Sequence, residues 1–492
     1  MAVKKAAKKS TRKIAKRATK KAPAKKSVSK KVTQTAIKTV AKKATPKNSV
    51  TKPRAIMIVL NAVTNDSRVL KGAWYLADKG FEVMILGISP NKNIDHLNVG
   101  RAHIVRVLRK PLVSRGNRYI NVIRKAWLAT IAELLPTPRE VTLKPMEDAR
   151  RGMVQAVIDF KPDLIHAQDF SAIPVAVQAH DKILAKTGKD VPLIYDAHEF
   201  LPGQANIKRP IRRSLVAMER KAISRFHRVV TVSEMIADML HENHRLAKRP
   251  VVVTNDPVLG AARKHKSDLR KDIGLAKNVP LMVYSGGVAP QRGIMVAVKS
   301  LPSLPKHHLA IMAPGSNAHL KELEAMAAKL GVSDRVHVLG FVDNAEVTSY
   351  LKSADIGLIM NTHHVNHELS TPTKFSEYSH AGVPMVVSDV KFLSQEVRRL
   401  GIGEVFISED VPTFVEAVKK VSSNPAKYKK NFTKAFLNER SWEAQSDKYV
   451  DLYIELLDHA PKELTSSVFK ISGGELKTDR ESMATFYART IN

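Results

Sequence analysis

The stretch from Ser370 to Ser388 reads STPTKFSEYSHAGVPMVVS and holds a helix, its stop and a buried strand in one run. Lys374 and Glu377 stand one helical turn apart, which places them on the same helix face. Ala381-Gly382 ends that helix, because glycine adopts the left-handed conformation that closes a helix at little cost. The following V-P-M-V-V is short, apolar and β-branched, as a strand buried on both faces must be. A helix start flanked by lysine suits a diphosphate, since free N–H groups and an ammonium both favour anionic oxygens. A carboxylate one turn further on suits the diol of a ribose.

Working outward, the same alternation fills most of the chain. Ala55–Leu60 is an apolar run of buried-strand type, Asp66–Lys79 has a helical period with Asp66 or Asn65 as its cap, and Phe81–Gly87 is the next strand. Strand, helix and strand in so short a span predict a parallel sheet. Further strands are expected at Ile104–Leu108, Leu164–His166, Leu193–Tyr195, Val229–Val232 and Val251–Thr254. A second series begins after Val279 with LMVYSG, HLAIMAP, RVHVLG, DIGLIM and PMVVS. The polar, basic segment Asn255–Lys277 separates the two series. Ser441–Asp458 closes the pattern as an amphipathic helix with Trp442, Tyr449, Leu452, Tyr453 and Leu456 on one side.

The fold class predicted is α/β: two doubly wound, Rossmann-like domains facing a cleft, with the last helix packing back and a disordered basic tail in front. The expected boundaries are a tail at 1–52, a first domain at 53–260, a second at 261–440, a helix at 441–460 and an extension at 461–492. Ligands of such sheets bind beyond the carboxyl ends of the strands. Tyr284–Gly293, YSGGVAPQRG, lies at such an end, where Gly286 and Gly287 let backbone approach a phosphate and Arg292 offers a fork for its oxygens.

These segments resemble the retaining glycosyltransferases of family 4. The donor signature of that family is a Glu, seven residues, a second Glu and A-G-x-P-V-V. Glu377, Gly382 and Pro384 carry the match, whereas Leu369 stands where the first Glu is expected and Glu368 lies one residue away. The family's G-R-x-x-x-x-K-G loop matches at Arg292, with Gly287 in place of its first cation. The resemblance covers residues 54 to about 460 and implies a GT-B glycosyltransferase that moves a sugar, with retention, from a nucleoside-diphosphate sugar. The acceptor would be a glycan, a lipid-linked molecule or another hydroxyl compound, in cell-envelope or exopolysaccharide synthesis. No cofactor is implied beyond the donor substrate.

Site roles follow from the matched positions. Arg292 and Lys374 are expected to stabilise the leaving diphosphate, and His198, in Y-D-A-H-E, to face the donor sugar across the cleft. Gly286, Gly287, Thr373 and Glu377, with Glu368 as the substitute for the missing carboxylate, are expected to hold the donor. Gly340 and Phe341, in the G-F-V turn, are expected near its base. Arg68 is expected at the acceptor or another anionic group, and Asp169 at the acceptor side or as a helix cap. His363, His364 and His367 lack helical spacing and a carboxylate pair, so no metal site is expected.

Composition sets the remaining bounds. Of the 492 residues 44% are apolar, ordinary for a globular chain, and none is Cys, which excludes disulfides and thiolate chemistry. The net charge of +35 is uneven, because residues 1–52 hold 19 Lys and Arg with no Asp, Glu, Gly or aromatic residue. Repeats such as KKAAKK and KKAPAKK bury nothing, and the segment resembles the lysine-, alanine- and proline-rich tails of histone H1-like proteins. It is expected to meet polyanions, either an anionic membrane or nucleic acid. Without an apolar run of membrane length or a secretory signal, the expectation is a cytoplasmic protein, peripheral at the inner membrane face. Two other readings stay open: a GT-B nucleotide-sugar epimerase, and a polyanion-binding protein with an inactive transferase fold. A dinucleotide dehydrogenase is disfavoured because no G-x-G-x-x-G follows Ile56–Leu60.

Overall fold

The computed structural model describes residues 52–457 except 64–65, 90–94, 100, 109–151, 205–206, 260–263, 341 and 344. The basic tail, Asn65, Phe341 and the C-terminal extension therefore lie outside the described residues.

The first half contains β1 (Arg54–Ile58), β2 (Glu82–Ser89), β3 (Asp95–Val99), β4 (Ala102–Leu108), β5 (Leu164–Gln168), β6 (Leu193–Ala197), β7 (Arg228–Thr231) and β8 (Val251–Val252). Its helices are α1 (Ser67–Asp78), α2 (152–160), α3 (Ile173–Thr187), α4 (Arg209–Ala222) and α5 (Glu234–His244). Asp66 starts α1 by accepting the Val69 N–H, the capping role its sequence position suggests. The strand order is β3-β4-β2-β1-β5-β6-β7-β8. Each pair is parallel except β3 with β4, which is antiparallel. An all-parallel sheet was the expectation; the sequence DHLNV of β3 is too polar to announce a strand, and it adds to the sheet as an outer edge.

The second half contains β9 (Leu281–Ser285), β10 (His308–Met312), β11 (Val336–Leu339), β12 (Ile356–Ile359), β13 (Met385–Ser388) and β14 (Gly403–Phe406). Its helices are α6 (Leu269–Asp272), α7 (Ile294–Ser300), α8 (Ala318–Lys329), α9 (Val347–Leu351), α10 (Val365–Leu369), α11 (Thr373–Ala381), α12 (Lys391–Leu400), α13 (Val411–Ser423), α14 (Pro425–Lys429) and α15 (Lys434–Glu439). The strand order β11-β10-β9-β12-β13-β14 is wholly parallel, and the winding direction reverses between β9 and β12. A crevice opens at such a reversal, beyond the strand ends. Helices α7, α8 and α13 bury one face of this sheet, and α9, α11 and α12 bury the other. The short strand β14 did not show in the sequence pattern, because Gly403 and Glu404 interrupt its apolar run.

The last helix, α16 (Trp442–Leu456), crosses back to the first sheet. Trp442, Tyr449, Leu452 and Tyr453 share one core with Met57 of β1 and Val69 and Ala73 of α1. The outgoing and returning crossings touch, since the Trp442 N–H donates to the Pro257 carbonyl at 2.8 Å. Gly72 of α1 lies beneath the Trp442 and Tyr449 rings. Among the described residues, no helix is long and apolar enough to cross a membrane.

Replacing Trp442 by Ala removes a fully buried ring at this crossing and should lower unfolding stability by about 3–5 kcal/mol, read by chemical denaturation.

Candidate active site

The two sheets point their carboxyl ends at a shared cleft with a cavity of about 750 Å³. Contacts across it fix the relation of its walls. The Ser233 hydroxyl donates to the Leu369 carbonyl at 2.5 Å, and Asn366 donates to the Glu199 carboxylate at 3.1 Å. The turn Leu201–Gly203 rests on α10 so closely that a Cβ on Gly203 would lie 2.7 Å from Val365 and Asn366. The Ser376 hydroxyl donates to the Asp256 carboxylate, tying α11 to the interdomain linker.

A smaller cavity of about 310 Å³ opens beyond β9, lined by Gly286, Gly287, Arg292, Thr373, Lys374 and Glu377 among others. Its floor depends on two glycines. Gly286 has a φ of +122°, and Gly293 has a φ of +65° with the Met360 carbonyl where a Cβ would be. The second contact holds the Pro290–Arg292 turn against the end of β12, so Arg292 lines both this cavity and the large one.

Lys374 is 7% exposed and lies over the Tyr284 ring at 3.9 Å from its centroid. Burial, reinforced by Arg292, brings its ammonium down to about 7, and Glu377 opposes the shift. Glu377 is half-buried, and burial pushes its carboxyl up while Lys374 and Lys71 pull it down. Neither side chain has a hydrogen-bond partner among the described residues. The arrangement is two cations and a carboxylate around one hollow at a helix start, a charge pattern suited to an anion bearing a diol.

The first-domain wall is built differently. Arg68 donates to both carboxylate oxygens of Asp196 at 3.0 and 2.9 Å and to the Val253 carbonyl at 2.6 Å. The Tyr449 hydroxyl also donates to Asp196. Burial alone would push the Asp196 carboxyl up, but the Arg68 guanidinium holds it well below the usual carboxylate range. Arg68 borders the large cavity, yet its fork is fully committed, so its main work is structural rather than acceptor binding.

His198, just past β6, lines the cleft half-buried and pairs with Gln168 at 3.0 Å. Asp169 follows β5 with a φ of +65°, a costly conformation for a non-glycine residue. It makes no side-chain cap and lines neither cavity, and burial pushes its carboxyl up to about 6.

Two other expected site residues are not brought in. Glu368 is turned aside: one oxygen pairs with His363 at 2.5 Å, and the other accepts the Lys391 N–H at 2.6 Å, capping α12. It corrects the expectation that Glu368 replaces the missing donor carboxylate. Gly340 lines neither cavity, and Phe341 lies outside the described residues. Val342, next in the chain, does line the smaller cavity. His364 and His367 face the cleft, whereas His363 sits between Glu368 and Asp389.

Sequence reasoning missed Lys71, Asn361 and Asp256. The N-D-P turn at Asn255–Pro257 and the second cation on the Arg68 face of α1 were the available signals.

Replacing Arg68 by Ala leaves Asp196 buried without its main counter-charge. Stability should fall by about 3–5 kcal/mol in urea denaturation, whereas a residue serving only as an acceptor ligand would leave the midpoint in place.

Known proteins share both halves of this arrangement. Residues 265–436 match the family described as glycosyl transferases group 1, and residues 73–256 match the glycosyl transferase 4-like domain. The 2-deoxystreptamine glucosyltransferase of Streptomyces kanamyceticus is 23% identical over 373 residues, covering 73% of this chain and 89% of that protein. Sucrose-phosphate synthase from Thermosynechococcus elongatus superposes with a TM-score of 0.66 at 16% identity, over 83% of this chain and 100% of that one. HepE of Anabaena, solved in complex with UDP and glucose, gives 0.59 at 15% identity, over 82% and 99%. With a group 1 transferase domain over residues 265–436 and a 4-like domain over residues 73–256, the chain belongs to the group 1 glycosyltransferases of GT-B fold.

Proposed function

We propose that this glycosyltransferase transfers a hexose from a nucleoside-diphosphate sugar, with retention of configuration and without a metal ion. The observation that carries the reading is the convergence of Arg292, Lys374 and Glu377, none neutralised by a hydrogen-bonded counter-ion, on one cavity beyond β9. Glu377 would take the ribose hydroxyls. Arg292, Lys374 and the first turn of α11 would take the diphosphate, with Thr373 at the junction of the two cavities. The similar HepE holds UDP and glucose, which agrees with a donor of this class.

The large cavity would receive the acceptor next to His198. In the transfer, the bond from the anomeric carbon to the diphosphate oxygen breaks and a bond to the acceptor oxygen forms on the same face. The acceptor proton passes to the departing diphosphate. Negative charge grows on that leaving group, so fixed cations there stabilise the transition state more than the ground state. His198 would hydrogen-bond the sugar or the leaving oxygen and is held for this by Gln168. The acceptor class proposed is a glycan or lipid-linked hydroxyl of envelope or extracellular polysaccharide. Residues 1–52 would tether the protein to a polyanion such as an anionic membrane face, an attachment that added salt weakens.

Replacing Glu377 by Ala should cost about 1.5–3 kcal/mol of nucleoside-diphosphate affinity in calorimetry, with the unfolding midpoint unchanged. An unchanged affinity would place the donor elsewhere.

Release of nucleoside diphosphate should persist in excess chelator, and Arg292→Ala should lower kcat more than it raises KM. Loss of activity on chelation, restored by manganese, would overturn the metal-free reading. Diphosphate binding favours charged Lys374, which is already half neutral near pH 7. Affinity should therefore fall as pH rises from 7 to 9, on the order of tenfold, and the loss should vanish in Lys374→Met.

A further inference from the structure

Lys71 of α1 belongs to the first domain, yet its ammonium is buried at the crossing between the domains, 5% exposed. It donates to the Asn255 side chain at 2.8 Å and to the Asp256 carbonyl at 2.6 Å, both in the linker. It also lies over the Trp442 ring, 4.5 Å from the centroid, where the chain returns. A cation so placed costs desolvation that an apolar side chain of equal length would not. Its position explains the choice. Lys71 and Glu377 both line one chamber of about 250 Å³, which shares Thr373 and Glu377 with the donor cavity.

We propose that Lys71 is a positioning residue for the donor: from the first domain, it keeps Glu377 anionic and aimed at the ribose. The inference rests on the donor-site reading above. A carboxylate must be ionised to accept two hydroxyls. Burial works against that at Glu377, and two lysines work for it, Lys374 from its own domain and Lys71 from the other. Once a diphosphate is bound, the Lys374 charge is claimed by the phosphate oxygens. Lys71 is then the cation left to Glu377. The groups facing Lys71 fit this role: burial and Arg68 bring it down to about 7, while Asp256, Glu377 and Glu443 favour its charge. It is thus charged on the acid side of neutrality, where Glu377 needs support. Asp256 completes the link, since its carbonyl takes Lys71 while its carboxylate takes Ser376, the neighbour of Glu377.

The test compares two ligands on the full chain by calorimetry. One is inorganic pyrophosphate, which uses Arg292 and Lys374 but has no ribose. The other is whichever of UDP, ADP and GDP the wild type binds best. The readout is the ratio of their affinities from pH 5.5 to 8.5. Lys71→Gln keeps a hydrogen-bond donor but no charge, and Lys71→Met removes both. In either variant the nucleotide preference should fall, by up to about tenfold for one unit of added proton affinity at Glu377, at the acid end of the range and recover toward its alkaline end. Lys71→Arg should retain the wild-type ratio. Pyrophosphate binding in each variant reports an intact fold, and the neutral variant that retains it decides the matter. A wild-type preference that neither neutral variant changes would overturn the role of Lys71 and leave the donor site standing. A parallel loss for both ligands would mark Lys71 as a purely structural staple and overturn the proposal equally. A wild type with no preference for the nucleotide would overturn the donor-site reading and this inference with it.

Discussion

A buried guanidinium and a buried carboxylate hold the cleft of this protein together. Arg68 of α1 and Asp196 of β6 meet in a bidentate pair, and the pair recruits the Val253 carbonyl from the linker and the Tyr449 hydroxyl from α16. Four segments remote in sequence are fixed by one interaction. Desolvation makes such a pair expensive to form and more expensive to half-remove. The next residues along β6 lead straight to His198, so the geometry of the pair sets where the imidazole enters the cleft. His166 beside it is pushed by burial down to about 3 and stays neutral, pairing with the Tyr453 hydroxyl at 2.9 Å.

The donor side uses the opposite arrangement. There the buried Lys374 and the half-buried Arg292 have no hydrogen-bonded carboxylate among the described residues, so the electrostatic demand is left open for a ligand. Lys374 pays a desolvation penalty that only the Tyr284 ring and the nearby Glu377 relieve. A diphosphate would complete it. Local backbone makes the exposure possible: Gly286 and Gly293 lie at positive φ, and Gly357 lets the Tyr378 ring press against β12 so that α11 sits low on the sheet. The Tyr378 hydroxyl then accepts the Ser285 N–H and donates to the Val283 carbonyl, locking α11 to the strand that carries the glycine loop.

Between these two walls, the domain crossings are the place where side chains of both halves meet. The Pro257 carbonyl and Trp442 N–H join the outgoing and returning chains, and Lys71 is wedged against both. Small changes of charge in so dry a junction carry farther than they would at the surface, because little water screens them.

Much of this was legible in the chain. Apolar runs such as AIMIVL and PMVVS need burial on both faces, and the helices between them need a sheet to cover, so a pair of doubly wound sheets followed from local pattern. Gly382 at φ +67° and the Asp66 cap were readable for the same reason, since backbone chemistry decides them within a few residues. Lys374 and Arg292, which the sequence assigned to one diphosphate, line one cavity. What it could not determine was which charges would find partners. Arg68 looked available and is sealed against Asp196, 128 positions away; Glu368 looked like a donor ligand and caps α12 instead. Lys71 looked like any helical lysine and became a buried cation at the crossing. Propensity and spacing act over a few residues, whereas desolvation and ion pairing depend on what lies across the cleft, and only the tertiary structure supplies that neighbour.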